Sequence, residues 1–173
     1  MNIILLGYMG CGKSSIGRDL ASRLKMKCLD LDDYIEDQEK KSIKQIFADK
    51  GEIYFRKKET EYLKQLLEIR SNTIISLGGG TPCFAGNIEL IKNNDKAKSV
   101  YLKTSLQELV SRLYLEKDKR PLIAHINSQE DLKDFIRKHL FERSYYYNQA
   151  EYVISTDSKT VTEIAEEIQA SLF

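Results

Sequence analysis

The sequence predicts an α/β fold, a three-layer sandwich with a mainly parallel sheet, on three observations. Short runs of aliphatic and β-branched residues alternate with longer stretches of helical spacing, the order that βαβ units produce. A glycine-rich stretch, GYMGCGKSS (Gly7–Ser15), stands between the first such run and the first helical stretch. Acidic and glycine clusters recur at the ends of predicted strands, where sheets of this kind gather their ligands. The 173 residues suffice for one well-buried domain and are short for two. No internal repeat or low-complexity linker divides them.

Asn2–Leu6 (NIILL) is the uninterrupted apolar run of a strand buried on both faces. Ile16, Leu20 and Leu24 then recur at helical spacing, which predicts a helix over Ser14–Lys25 with its N-terminus at the glycine-rich loop. Lys27–Leu31 reads as a second strand, running into Asp30-Leu31-Asp32-Asp33. Three helical stretches follow, Tyr34–Lys40, Ser42–Asp49 and Glu52–Arg70, with Gly51 as punctuation. Thr73–Leu77 (TIISL) is rich in β-branched residues and stops at Gly78-Gly79-Gly80. Lys98–Leu102 (KSVYL) is a fourth strand, and Ser105 with Glu108 has capping-box spacing ahead of a helix. From Leu115 to Ser128, LEKDKRPLIAHINS is charged, holds Pro121 and lacks clean periodicity, which predicts a mobile loop. Ser128 caps a helix to about Asn148, Tyr152–Ser155 is a last strand, and Thr160 with Glu163 caps a final helix.

Lys and Arg number 27 against 26 Asp and Glu, a net charge of +1. That balance argues against broad nucleic-acid or membrane-surface binding and leaves room for a local anionic site. Cys11, Cys28 and Cys83 are an odd set without metal-ligand spacing, as expected of reduced thiols in a cytoplasmic protein. No apolar run is long enough for a transmembrane helix, and the first strand flows into a loop, unlike a signal peptide. A soluble, cytoplasmic monomer is expected.

The pattern G-x-x-x-x-G-K-[ST] at Gly7–Ser14 has a physical reading. Successive backbone N–H groups curl around phosphate oxygens, Lys13 reaches the β/γ-phosphates, and the Ser14 hydroxyl ligates Mg²⁺. This identifies a nucleotide site and no reaction. Asp30 and Asp32 face one way if strand geometry persists through Leu31. One would then hold a Mg²⁺-bound water and the other accept a hydrogen bond from a substrate hydroxyl. The alternative is an acidic loop that caps the next helix together with Asp33.

Arg56 and Glu59, three apart in GEIYFRKKE, share a helical face on which Glu59 can orient the guanidinium towards a carboxylate. Read alone, they also fit a surface ion pair, and Arg143 fits a single charge on an amphipathic helix. His125 and His139 have no partner pattern, and Tyr145-Tyr146-Tyr147 reads as packing. Gly78-Gly79-Gly80 lets a substrate approach the backbone, or makes a plain turn. Arg120-Pro121 is either an exposed charge or a cation that closes over transferring phosphoryl oxygens.

The segments GYMGCGKSS, LDLD, GEIYFRKKE, SLGGG, KRPL and ERSYYY stand in the order and approximate spacing of the shikimate kinases. The chain resembles that family from Ile3 to the last strand, and GExxFRxxE with LGGG is far more specific than the phosphate loop. The resemblance implies a nucleoside-monophosphate-kinase-like P-loop NTPase fold with a five-stranded parallel sheet. It implies a single domain, 1–173, with a substrate-binding helical region at about 33–62 and a lid at about 113–128. By the same resemblance Gly10, Cys11, Gly12, Lys13, Ser14 and Ser15 bind ATP, Arg112 lies along the adenine, and Arg120 is the lid arginine. Ser14 binds Mg²⁺, and Asp30 supports the metal through water. Asp32, Arg56, Glu59, Gly78, Gly79, Gly80 and Arg143 hold shikimate, and Lys13, Asp32 and Arg120 form the catalytic set. The adenine-side segment at Ser155–Lys159 matches the family poorly, so no residue is assigned there.

The implied activity is ATP-dependent phosphorylation of the 3-hydroxyl of shikimate, in the synthesis of chorismate and the aromatic amino acids. Two arginines suit the single carboxylate of that substrate, and an aspartate suits its hydroxyls. A kinase for another hydroxylated acid, such as gluconate, and a nucleotide-binding regulatory module without transfer activity are the alternatives. An adenylate kinase would need a nucleoside-monophosphate site and a larger lid.

Overall fold

A computed structural model of the chain describes residues 1–69 and 72–173. Its strands are β1 (Asn2–Leu6), β2 (Lys27–Asp30), β3 (Thr73–Ser76), β4 (Ala97–Lys103) and β5 (Tyr152–Ser155). They form one sheet in the order β2-β3-β1-β4-β5, with every neighbouring pair parallel. Every residue of β1 is buried, as are Ser99 to Leu102 of β4. Burial of successive residues means cover on both faces of the sheet, because side chains alternate.

The helices supply that cover: α1 (Lys13–Leu24), α2 (Leu31–Glu39), α3 (Ile43–Glu68), α4 (Asn87–Lys92), α5 (Leu106–Glu116), α6 (Gln129–Tyr147) and α7 (Val161–Leu172). α1 packs on α7 and β3, α5 on α6, and α2 on α3. Leu6, Leu20, Leu63, Val100, Ile136 and Ile168 belong to the single apolar cluster between these layers. Most helix starts follow the capping residues of the sequence. Ser42, Ser105, Ser128 and Thr160 each accept a hydrogen bond from the backbone N–H three residues on.

Three expectations need correction and one holds. β2 ends at Asp30 rather than Leu31, because the Asp30 carboxylate accepts from the Asp32 N–H at 2.9 Å and turns the chain into α2. Strand alternation therefore does not align Asp30 with Asp32. Gly51 does punctuate the two helical stretches on either side of it, since its φ of 79° and ψ of 174° break α3 there. The expected end of the second stretch at Arg70 lies outside the described residues. A 3-10 turn at Thr81–Cys83 and α4 fill the interval between β3 and β4, for which the sequence offered no element.

The stretch from Leu115 to Ser128 is more organised than a free loop. α5 continues through Glu116, a 3-10 turn spans Lys117–Lys119, and Ile123 and Ile126 are buried in the core. Lys117 Nζ donates to the Ile126 carbonyl at 3.0 Å, tying the end of α5 to the segment that carries the two isoleucines.

Candidate active site

Parallel strands deliver the loops after β1, β2 and β3 to the same edge of the sheet. The loop after β1 turns through Gly10 and Gly12, whose φ angles of 82° and 95° belong to the left-handed region that glycine tolerates. Gly12 is also the N-cap of α1. It offers no side-chain cap, and the first turn of α1 holds no acidic residue. Unlike the side-chain-capped starts of α3, α5, α6 and α7, this helix start keeps its N–H groups and positive dipole end for an external anion. Lys13 Nζ donates to the carbonyls of Gly7 and Tyr8 at 2.7 and 3.0 Å, curled over the loop that it serves.

A cleft of about 510 Å³ opens on this loop. Gly10, Gly12, Lys13, Ser14 and Ser15 line one side, and Asp30, Asp32, Gly78 and Gly79 line another. Arg112, Glu116 and Arg120 close the third. Arg112 donates to Glu108 through Nε and Nη2 and to the Gly10 carbonyl through Nη1 at 3.3 Å, which fixes its guanidinium beside the phosphate loop. Arg120 Nη2 donates to Glu116 at 3.0 Å. Cys11 departs from the rest of its loop. Its side chain is buried outside the cleft lining, and its N–H donates to the Tyr8 carbonyl at 3.2 Å.

The three consecutive glycines after β3 each stand against polar side chains, Gly78 against the Thr81 hydroxyl at 3.1 Å as well as against Asp32. A β-carbon at Gly78 would lie 3.0 Å from an Asp32 carboxylate oxygen, and one at Gly79 would lie 3.1 Å from Arg143 Nη1. One at Gly80 would lie 2.9 Å from Arg56 Nη2. The side chains expected to hold an acceptor are thus ranged along one backbone segment, each occupying the space of an absent methyl group. Arg56, Glu59, Gly80 and Arg143 sit beyond the nucleotide-side lining of the cleft, past its Gly78–Gly79 end.

Arg56 rests on the Phe84 ring at 3.9 Å and donates through Nη1 to Glu59 at 2.9 Å. Glu59 is only 1 % exposed, and its other oxygen accepts from the Thr81 hydroxyl. Both Glu59 oxygens thus have partners within the protein, one of them the Arg56 guanidinium. Arg143 lies over the Tyr8 ring at 5.8 Å.

Asp32 is the most perturbed acid of the cleft. Burial first, then the negative charges of Asp30 and Glu59, push it up to about 7 against the opposing pull of Lys13. Burial likewise raises Asp30, partly offset by the N–H of Asp32. Among the described residues no three His, Cys, Asp or Glu side chains cluster as a ready metal cage.

Several supporting residues carried no signal in the sequence. Tyr147 is buried and donates to the Gly79 carbonyl at 2.6 Å, so one member of the tyrosine run holds the glycine segment as well as packing. Tyr8 and His139 share a hydrogen bond at 2.9 Å between the phosphate loop and α6. The pairs Glu108–Arg112 and Glu116–Arg120 were readable, since both have the i, i+4 spacing of helical ion pairs.

A five-stranded parallel sheet with a phosphate loop after its central strand, and with acids and arginines gathered at the same edge, defines a small phosphotransferase of the nucleoside-monophosphate-kinase-like P-loop class. Residues 9–173 match the family model described as shikimate kinase. The shikimate kinase of Flavobacterium johnsoniae is 50 % identical over 166 residues, covering 96 % of this chain and 95 % of its own. The crystal structure of shikimate kinase from Bacteroides thetaiotaomicron superposes with a TM-score of 0.90 at 34 % identity, covering 99 % of this chain and 98 % of its own. That of the Acinetobacter baumannii enzyme, in complex with shikimate, gives 0.85 at 33 % identity, with 99 % and 92 % covered. The chain belongs to the shikimate kinase family. Among the described residues, no helix is long and apolar enough to cross a membrane.

Proposed function

We propose that this chain transfers the γ-phosphoryl group of ATP to the 3-hydroxyl of shikimate, giving shikimate 3-phosphate and ADP on the route to chorismate and the aromatic amino acids. The observation that carries the reading is the array of Asp32, Arg143 and Arg56 along Gly78, Gly79 and Gly80, beside the phosphate loop. It offers one anionic acceptor for hydroxyls and two planar cations for a carboxylate.

ATP occupies the loop side of the cleft, with its phosphates on the N–H groups from Gly10 to Ser15 and its adenine along Arg112. Shikimate lies on the glycine side, its carboxylate on Arg56 and Arg143. The 3-hydroxyl oxygen attacks the γ-phosphorus in line. The new O–P bond forms as the bond to the ADP oxygen breaks, and the hydroxyl proton passes to Asp32. Lys13 and Arg120 stabilise the charge spreading over the phosphoryl oxygens, so catalysis is positioning and electrostatics.

Magnesium fits the donors present. Mg²⁺ favours a few oxygen ligands completed by water and substrate phosphates over an all-protein cage, and the cleft provides that kind of partial set. Ser14 would hold it directly and Asp30 through water, and the ion would neutralise phosphate charge. We read the enzyme as a cytoplasmic monomer of one domain, with a substrate-binding region at about 33–62 and a lid at about 113–128. Its three cysteines, all free thiols, are in keeping with a reducing compartment.

ADP release measured with Mg²⁺ and ATP against shikimate, quinate, gluconate and AMP tests the assignment. Turnover with shikimate far above the other three is expected. Faster turnover of gluconate would replace the substrate, and no turnover of any acceptor would leave a nucleotide-binding module.

A further inference from the structure

Glu59 is held from two sides. One carboxylate oxygen accepts from Arg56 Nη1 at 2.9 Å and the other from the Thr81 hydroxyl at 2.6 Å. Thr81, fully buried, is itself fixed. Its N–H donates to the Gly78 carbonyl at 3.1 Å, and its carbonyl accepts from Asn87 Nδ2 at 2.9 Å. The Asn87 side-chain oxygen in turn accepts from the Thr60 hydroxyl at 2.9 Å. Two neighbouring residues of α3, Glu59 and Thr60, are thus stitched to two residues beyond the glycine segment, Thr81 and Asn87.

This buried chain bears on the arginine. A carboxylate beside a guanidinium prefers to take two N–H groups in a parallel fork. Glu59 takes a hydrogen bond from Nη1 alone, because its second oxygen is occupied by Thr81. A Glu59 free to rotate would chelate Arg56 and use up the donors that an acceptor's carboxylate needs. Inside a poorly solvated site the unmade hydrogen bond of Glu59 would favour that rotation strongly.

We propose that Thr81 is a positioning residue for the acceptor carboxylate: its hydroxyl holds Glu59 in single contact with Arg56 and so keeps the guanidinium available beside Gly80. The inference rests on Arg56 serving as the clamp for the carboxylate of shikimate. Thr81 touches neither substrate nor nucleotide in this scheme.

Thr81→Val keeps the shape and removes the hydroxyl. KM for shikimate should rise about tenfold, while kcat and KM for ATP stay within about twofold. Thr81→Ser, which restores the donor, should return KM for shikimate to within about twofold of the parent. Arg56→Lys is measured alongside. An unchanged KM for shikimate in Thr81→Val, with a raised one in Arg56→Lys, overturns the role of Thr81 and leaves the clamp standing. Unchanged values in both overturn the clamp itself. A uniform loss in Thr81→Val, with kcat and both KM values affected together, makes Thr81 merely structural and also overturns the proposal. If Thr81→Val is not recovered folded, Thr81→Ala, which also lacks the donor, takes its place under the same expectations.

Discussion

Asp32 shows how burial sets chemistry at a single residue. The fold withdraws its carboxylate from water and places Asp30 and Glu59 near it, which pushes its pKa to about 7. A group poised there can take a proton from a hydroxyl at neutral pH and is a poor base below it. The value of kcat/KM for shikimate should therefore rise with pH and level off above about 7. Stability should run the other way. The folded chain holds the Asp32 proton to a higher pH than the unfolded chain, so this contribution is full below the ordinary carboxylate range and is lost as pH rises towards 7. Asp32→Asn should lower kcat strongly, yet melt above the parent at about pH 8 and level with it at about pH 4. Equal melting at both would show that Asp32 carries no burial penalty. Lys13 pulls the same group down, so Lys13→Ala should move the rising limb of the profile to higher pH. The same change should cost roughly 10²–10³ in turnover, with far-UV circular dichroism unchanged, because a preorganised donor to the transferring phosphoryl is lost. Near-parent turnover in Lys13→Ala would remove it from the mechanism.

At the scale of elements, the turn after β3 gathers the side chains proposed for the acceptor. An added methyl group at Gly79 or Gly80 would press on Arg143 or Arg56, and one at Gly78 on Asp32 and Thr81. Gly79→Ala and Gly80→Ala should each raise KM for shikimate with little change in KM for ATP, whereas Gly78→Ala, which presses on Thr81 as well as Asp32, should lower kcat and raise KM for shikimate together. Steady-state kinetics on the three variants separate these outcomes, and a common defect in all three would mean a general disturbance of the turn. The glycine run was legible because its residues are contiguous, and Arg56 with Glu59 because they are one helical turn apart. Thr81–Glu59, Tyr147–Gly79 and Tyr8–His139 span 22, 68 and 131 residues, distances over which local spacing carries no information. The end of β2 was misplaced for another reason. Asp30 is both a strand residue and a helix cap, and its hydrogen bond to Asp32 N–H outweighs continued alternation. Ile123 and Ile126 were missed because a short turn has no period to betray its buried positions.

Across the whole molecule, α6 clasps the two halves of the site. Through His139 it meets the phosphate loop at Tyr8, and through Tyr147 it meets the glycine segment, with Arg143 between. The piece opposite is the segment that follows α5. Arg120 lines the cleft but is paired with Glu116, and the turn around it is anchored by Ile123, Ile126 and the bond from Lys117 to Ile126. Ile123 and Ile126 are the apolar feet of this segment, set in the core. If it closes over ATP, Arg120 exchanges Glu116 for phosphoryl oxygens only in the filled site. Arg120→Ala should then cut kcat by roughly 10²–10³ and leave shikimate binding nearly unchanged. Trypsin provides the companion measurement, since Lys117 and Lys119 begin and end the 3-10 turn and the Arg120-Pro121 bond resists cleavage. Cutting should be fast in the free protein and slower with a non-hydrolysable ATP analogue plus shikimate. Ile123→Ala, which loosens one foot, should speed cutting of the free protein and weaken the protection by ligands. A cutting rate indifferent to nucleotide, together with full activity in Arg120→Ala, would make this stretch a passive loop and place closure elsewhere in the molecule.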